Sequence, residues 1–517
     1  MLTRLQVSGF KNLVDVDVYF GPFTCIAGAN GVGKSNLFDA IGFLSALADR
    51  TLIDAALSVR DGTSDIRNIF HHGGNSYHQE MSFVAEMIIP ATGLDDLGQK
   101  AKASITFLRY AVKIAYRSGD SLRSLGGLEL IEEKLEHINL GDAYERLPFE
   151  HSLSWRKSAV EGRRASSFIS TEGTGAGRVI KLHQDGRQGR PLTRAAVTLP
   201  RTVLSAANAA ESPTALLTRR EMQSWRLLQL EPSSLRKPDE FTAPTRLGMD
   251  GSHLPATLYY LARQGTNDLL PNPSIDAQLD DLHRQPTSSD MSRIYGQVAN
   301  RLAELIDDVR EVQIDRDDRR ELLTLMITDR YGTTHPAQAL SDGTLRFLAL
   351  AVLDLEPTAQ GLICLEEPEN GIHPERIPAM LKLLQDIAVD ANEEIGPDNP
   401  LRQVIVNTHS PSVVKQAPDD SLIVADQQLF RRDDRLFRGV RFSGLPNTWR
   451  PLKTGNGDSV PRGMLLAYLN PDIPEIEGSN GHHRTHSHSV RRPKTKVRVM
   501  DRPDMQQLMF PFSQKLE

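Results

Sequence analysis

A chain of 517 residues has room for two to four structural units, or for one large unit carrying insertions. Its 60 Lys and Arg stand against 66 Asp and Glu, a formal charge of −6, so a globally basic nucleic-acid binder is excluded and any such surface must be a local patch. Two cysteines, Cys25 and Cys364, cannot make a disulfide framework, and no apolar run reaches the ~18 residues of a membrane helix, so composition predicts a soluble cytoplasmic protein with no membrane association.

In chain order, residues 2–7 partly alternate, Val14, Val16 and Val18 alternate strictly, and residues 23–27 form a short apolar run. That predicts two half-exposed strands and a buried one. Leu37, Ile41, Leu44, Leu47 and Ala48 then recur at helical spacing, giving strand, glycine-rich turn, helix. Residues 105–107 and 111–115 read as strands, and 128–140 as a strand or a short helix. From Arg156 to Arg194 the chain is basic and glycine-rich, with Arg163, Arg164, Arg178, Lys181, Arg187 and Arg190 between. This predicts a solvated loop, with nucleic-acid contact as the alternative.

Residues 213–230 and 254–261 predict helices of an inserted subdomain. Another helix follows at 291–306, then strands at 312–314 and 322–327. Residues 345–355 predict a helix, 361–365 a buried strand, 377–389 an amphipathic helix and 403–406 a second buried strand. Such alternation argues for a parallel sheet with covered faces. The tail beyond Leu469 carries His482, His483, His486, His488, Arg491 and Arg492 and reads as unstructured. The expected division is an N-terminal lobe at 1–95, a partly basic and helical insertion at 96–285, a C-terminal lobe at 286–470 and a tail at 471–517.

Three motifs carry chemistry. Gly28-Ala29-Asn30-Gly31-Val32-Gly33-Lys34-Ser35 satisfies the phosphate-loop pattern G-x-x-x-x-G-K-S and sits between a buried strand and a helix. In such a loop the backbone of Asn30, Gly31 and Gly33 and the helix start at Asn36 face phosphates; Lys34 supplies charge and Ser35 offers its hydroxyl to Mg²⁺. Leu362-Ile363-Cys364-Leu365-Glu366-Glu367-Pro368 runs a buried strand into two carboxylates. Glu366 is placed to complete the Mg²⁺ shell and Glu367 to orient or deprotonate the attacking water. Finally, His409 ends the strand at 403–406, where an imidazole can sense a γ-phosphate.

Leu340-Ser341-Asp342-Gly343-Thr344-Leu345-Arg346, followed by a helix and the Glu366-Glu367 strand, resembles the signature of ABC-type ATPases, in the form found in RecF/SMC-like and OLD-like ATPases. Gly9-Phe10-Lys11-Asn12 resembles their opening. Glu367-Pro368-Glu369-Asn370-Gly371-Ile372-His373-Pro374 resembles the stretch that runs into their D-loop. The middle, Trp225 to Leu230 and Leu247 to Ser252, is similar to predicted AAA-type ATPases with an ABC-like head. The resemblance covers about residues 1–90 and 200–470. It implies a P-loop NTPase fold, an ABC-like α/β head with a mixed sheet and an inserted helical subdomain. It further implies ATP sandwiched in a homodimer, with Ser341 and Gly343 of one subunit touching the γ-phosphate held by the other's Gly31, Lys34 and Ser35. His409 would be the switch histidine, and Gln79 a candidate for the Mg²⁺-contacting glutamine. Two positions depart from the pattern: Asp342 stands where transporters have glycine, and Glu366 where Asp is usual.

These features predict an ATPase that dimerises on ATP and controls DNA or a separately encoded effector nuclease, in antiphage defence or DNA repair. A Toprim-type nuclease within the chain is not expected, because Asp426, Asp433 and Asp434 lack the required acidic strands around them. A transporter subunit is disfavoured by the roughly 300 residues between Ser35 and Ser341. A nucleotide-gated scaffold is disfavoured by intact Lys34 and Glu367.

Overall fold

The computed structural model describes residues 1–450, 460 and 497–502, apart from 61, 63–64, 74–75, 78, 118–126, 165, 187–189, 265–287, 307, 357–360 and 433–434. The tail histidines, Arg187, Asp433 and Asp434 therefore lie outside the described residues. The chain divides into two compact units, one comprising Met1, Ser152–Ala159 and Arg220–Val406, the other Leu2–His151, Val160–Arg219 and the chain from Asn407.

The second unit carries an eight-stranded sheet. Its order is Leu192–Ala195, Val179–Leu182, Ile169–Glu172, Gly127–His137, Phe107–Arg117, Glu80–Ile88, Leu2–Ser8 and Val16–Tyr19, each strand antiparallel to the next. Alternation makes these strands: Leu5 and Val7 are buried while Arg4, Gln6 and Ser8 flanking them are half-buried. The strict alternation of Val14, Val16 and Val18 becomes strand only from Val16, because Asp15 takes a left-handed φ of +52°. Of residues 128–140, those up to His137 are strand, with Leu130, Glu133 and Leu135 buried, and Leu140 begins the short helix Leu140–Arg146.

The basic stretch from Arg156 to Arg194 is not the solvated loop expected. Ile169, Ile180 and Leu182 supply buried apolar positions, and three strands extend the sheet through it. Three of its cations have partners: Arg178 with Glu129 at 3.1 Å, Lys181 with Glu172 at 2.5 Å, and Arg164 over the Phe168 ring at 4.0 Å while donating to the Gln184 and Asp185 carbonyls. A composition count hid these apolar positions, because they are few and scattered among charged and glycine residues.

The same unit contains strand Phe23–Ala27, parallel to Leu422–Arg432, which in turn pairs antiparallel with Arg435–Gly444. Helix Lys34–Leu47 follows the first of these and buries Leu37, Phe38, Ile41, Phe43, Leu44 and Leu47. Phe43 joins Phe10 and Phe83 in an aromatic cluster with ring centroids 5.4–5.8 Å apart, a geometry that adds about 0.5–1.5 kcal/mol per pair beyond area burial. Arg450, 3% exposed, donates to the carbonyls of Tyr19, Asp420 and Ser421 and to the Thr24 hydroxyl. Burial pushes its pKa down to about 9, which still leaves it a cation at neutral pH.

In the first unit, strand Arg226–Leu228 runs parallel to Gly361–Glu366, with Arg402–Thr408 on the other side. The Gly361 N–H donates to the Leu401 carbonyl, so the last two strands start together and run the same way. The segment 213–230 is not one helix: it ends at Gln223, and Arg226–Leu228 is recruited as a strand by Ile363, Cys364 and Leu365. Helix Asp342–Leu355 is buried nearly all round, as its Leu, Phe, Ala and Val content requires. Helices Leu254–Gln264, Ser288–Ala303 and Ile377–Ile387 complete the unit with strands Val309–Asp317 and Leu322–Asp329. Both cysteines are buried and neither forms a disulfide. Among the described residues no helix is long and apolar enough to cross a membrane.

Candidate nucleotide-binding site

The fully buried strand Phe23–Ala27 delivers the phosphate loop, and the helix begins at Lys34. Gly33 takes φ +117°, and a Cβ there would fall 2.2 Å from the Asn12 side chain, so only glycine fits. Asn12 donates its amide to the Val32 carbonyl at 2.8 Å and accepts from the Asn36 amide at 2.8 Å. Its own carbonyl accepts from the Val440 N–H. The loop is thus held from behind by one side chain.

Ala29, Asn30 and Gly31 are exposed, whereas Lys34 is buried with its Nζ donating to the Gly28 and Ala29 carbonyls at 2.6 and 2.9 Å. Ser35 and Asn36 are half-buried in the first helical turn, which contains no acidic residue to oppose an anion at the helix dipole. Further along the helix, buried Asp39 holds two cations, Lys11 at 2.7 Å and Arg60 at 2.8 Å. Gln79 is exposed just before strand Glu80–Ile88, and its carbonyl accepts from the Tyr116 N–H.

In the first unit, strand Gly361–Glu366 ends on half-buried Glu366, and Glu367 then adopts a left-handed φ of +47°. Such a conformation is uncommon for a residue with a side chain and costs on the order of 1–3 kcal/mol. It begins a turn in which the Glu367 carbonyl accepts from the Asn370 N–H and the Glu367 Oε2 accepts from the Asn370 amide at 2.9 Å. Arg346 donates to the Leu230 carbonyl at 3.0 Å and also to the Asn370 carbonyl.

Ser341 caps the next helix: its Oγ accepts from the Thr344 N–H at 3.2 Å. A Cβ on Gly343 would lie 2.3 Å from the Gly371 carbonyl oxygen, so the signature glycine is fixed by the turn after Glu367. Ser341, Gly343, Glu366 and Glu367 thus belong to one connected substructure. The phosphate loop belongs to the other unit, and His409 directly follows strand Arg402–Thr408. Cys364 is no nucleophile: burial, and then Glu366, push its thiol well up.

Sequence reasoning quoted Asn12, Arg346 and Asn370 only as letters within motifs. Asp39 and Arg60 carried no local signal, because their pairing spans a helix and a loop.

The family model described as "AAA domain, putative AbiEii toxin, Type IV TA system" matches residues 23–136 and 193–415, more than half of the chain. The chain belongs to this family. The signature and phosphate loop led one to expect an AAA-type ATPase with an ABC-like head, and this match supports that expectation. Short stretches of this AAA-family chain match curated proteins. It is 38% identical over 63 residues to the DNA replication and repair protein RecF of Paenarthrobacter aurescens (strain TC1), covering 12% of this chain and 16% of that protein. RecF of Clavibacter sepedonicus is 38% identical over 85 residues, 16% and 21% of the two chains. The OLD nuclease of Thermus scotoductus is 51% identical over 41 residues, 8% of each. The chain therefore spans about a fifth or less of the curated relatives it matches. Among solved structures, an Smc head bound to the C-winged helix domain of ScpA gives a TM-score of 0.44 at 13% identity, covering 86% of this chain and 98% of that one. The SMC head domain from Thermotoga maritima gives 0.34 at 11% identity, covering 86% and 98%.

Proposed function

We propose that this chain binds ATP with Mg²⁺, associates through it into a homodimer, and hydrolyses it to control DNA or a separately encoded effector such as a nuclease, in antiphage defence or DNA repair. The observation that carries the reading is Glu367: a carboxylate at the end of a buried strand, on a left-handed backbone, with its Oε2 held by Asn370. Strain of this kind persists only where surrounding contacts enforce it, and it clusters at active sites. The DNA and effector part rests on the matched stretches of RecF and OLD proteins.

In this reading the main chain at Asn30, Gly31 and Gly33 and the helix start at Asn36 cradle the phosphates, and Lys34 leaves its carbonyl partners to neutralise them. Glu367 accepts the proton of the attacking water, and His409 reports on the γ-phosphate. Ser341 and Gly343 of a second copy close the site. Ser35 and Glu366, a hydroxyl and a carboxylate, are hard oxygen donors of the type Mg²⁺ takes, and both are half-buried rather than sealed in. Bound there, the ion would offset charge on the phosphate oxygens.

The test is ATP turnover by the full chain, with and without duplex and single-stranded DNA. Lys34→Ala and Glu367→Gln are each expected to lower turnover by at least ~100-fold, with Glu367→Gln alone retaining ATP and trapping dimers. Unchanged turnover in Glu367→Gln refutes the assignment, and DNA-independent turnover under every condition refutes the DNA reading.

A further inference from the structure

Asp342 places a carboxylate, 53% exposed, in the first turn of helix Asp342–Leu355, between the two signature residues assigned to an incoming phosphate. Alone, such a charge favours the helix but repels the anion that this helix end is to meet. The structure supplies a counter-charge from elsewhere in the same unit. Arg236 Nη2 lies 2.5 Å from Asp342 Oδ1 and 2.9 Å from the carbonyl of Leu340, the residue before Ser341.

Arg236 is delivered by a braced corner. It follows the short helix Pro232–Leu235. The Gln229 and Glu231 N–H groups donate to the Met249 and Asp250 carbonyls, and the Ser234 hydroxyl donates to Asp250 at 2.7 Å. Gly251 packs so closely under Leu235 that a Cβ would come within 2.7 Å of it. The guanidinium is therefore carried to the signature by a turn with its own fixed geometry.

We infer that Arg236 is a positioning residue for the phosphate-contacting end of the signature: it cancels the Asp342 charge and fixes the Leu340 carbonyl, so that Ser341 and Gly343 of one subunit can meet the γ-phosphate held by another. The Asp342 departure from the transporter pattern and Arg236 form a compensating pair. This rests on the proposed ATP-dependent dimer.

The experiment uses the full chain carrying Glu367→Gln and measures ATP-dependent association by sedimentation over a concentration series. Binding of a fluorescent ATP analogue and thermal melting are followed in each variant. Added Arg236→Ala is expected to weaken association at least tenfold while analogue binding persists. Arg236→Lys, which keeps the charge, retains most of it. Asp342→Asn placed on top of Arg236→Ala restores association to within a few-fold of the parent, and Asp342→Asn alone associates no more weakly than the parent. An Arg236→Ala chain that dimerises like its parent overturns the inference and leaves the dimer reading intact. A double variant as weak as Arg236→Ala also overturns it, since the arginine is then only a brace. A Glu367→Gln parent that binds the analogue without associating overturns the dimer reading, and this inference with it.

Discussion

The Asn370 side-chain amide donates to the Glu367 carboxylate across 2.9 Å, within one tight turn, and Arg346 holds the Asn370 carbonyl from the signature helix. Asn370 therefore aims the proposed base. Asn370→Ala is expected to lower kcat about 10- to 100-fold with little change in ATP affinity, because positioning is lost and binding is not. Steady-state kinetics beside equilibrium nucleotide binding separates the two. A rise in KM with unchanged kcat would show that Asn370 serves binding.

Asn12 makes a different prediction. It donates to Val32 and accepts from Asn36, bonds that shape the loop without touching phosphate. Asn12→Ala removes two hydrogen bonds of about 1 kcal/mol each, so nucleotide affinity should fall by up to about thirtyfold, and the loss should persist in Glu367→Gln, where chemistry is absent. Isothermal titration in that background measures it.

Gly343→Ala drives a methyl group into the Gly371 carbonyl, 2.3 Å from its ideal position, with backbone on both sides and nothing flexible to yield. A loss of about 1–3 kcal/mol is expected for this overpacking. A chain with unaltered melting temperature would mean that the turn after Glu367 is softer than its contacts imply.

Glu133 sets a pH dependence remote from the site. It is fully buried and accepts from the Tyr110 hydroxyl and the Val203 and Leu204 N–H groups. Burial pushes its pKa up to about 7 from 4.5, against the pull of those bonds. The folded state thus binds the proton more tightly than the unfolded chain, so stability falls as pH rises from about 4.5 to about 7 and levels off above. The span is on the order of 3 kcal/mol. Glu133→Gln should flatten the melting temperature between pH 5 and pH 8; an equal slope in both chains would place the ionised form in the folded protein.

The strand–loop–helix of the phosphate site and the Glu366–Glu367 strand were legible because each is local: a buried run, a turn, and charge at its end. The family followed from the same letters. What escaped was long-range pairing. Nothing near Arg236 announces Asp342, and nothing near Asn12 announces Val32, since each pair is joined by tertiary contact. The basic segment misled for the opposite reason: its arginines are conspicuous in a composition count, whereas Ile169, Ile180 and Leu182, few and scattered, are easily overlooked.

Arg450 bears on how the chain is made. Its partners Tyr19 and Thr24 leave the ribosome more than 400 residues before it does, and the Asp420 and Ser421 carbonyls it also binds emerge only shortly ahead. The early strands must wait, incompletely knit, while the whole intervening unit is synthesised. Closure of so long a loop is slow, and open sheet edges are exposed in the interval. Nascent chains halted before residue 450 are accordingly the species that a chaperone or a protease would meet.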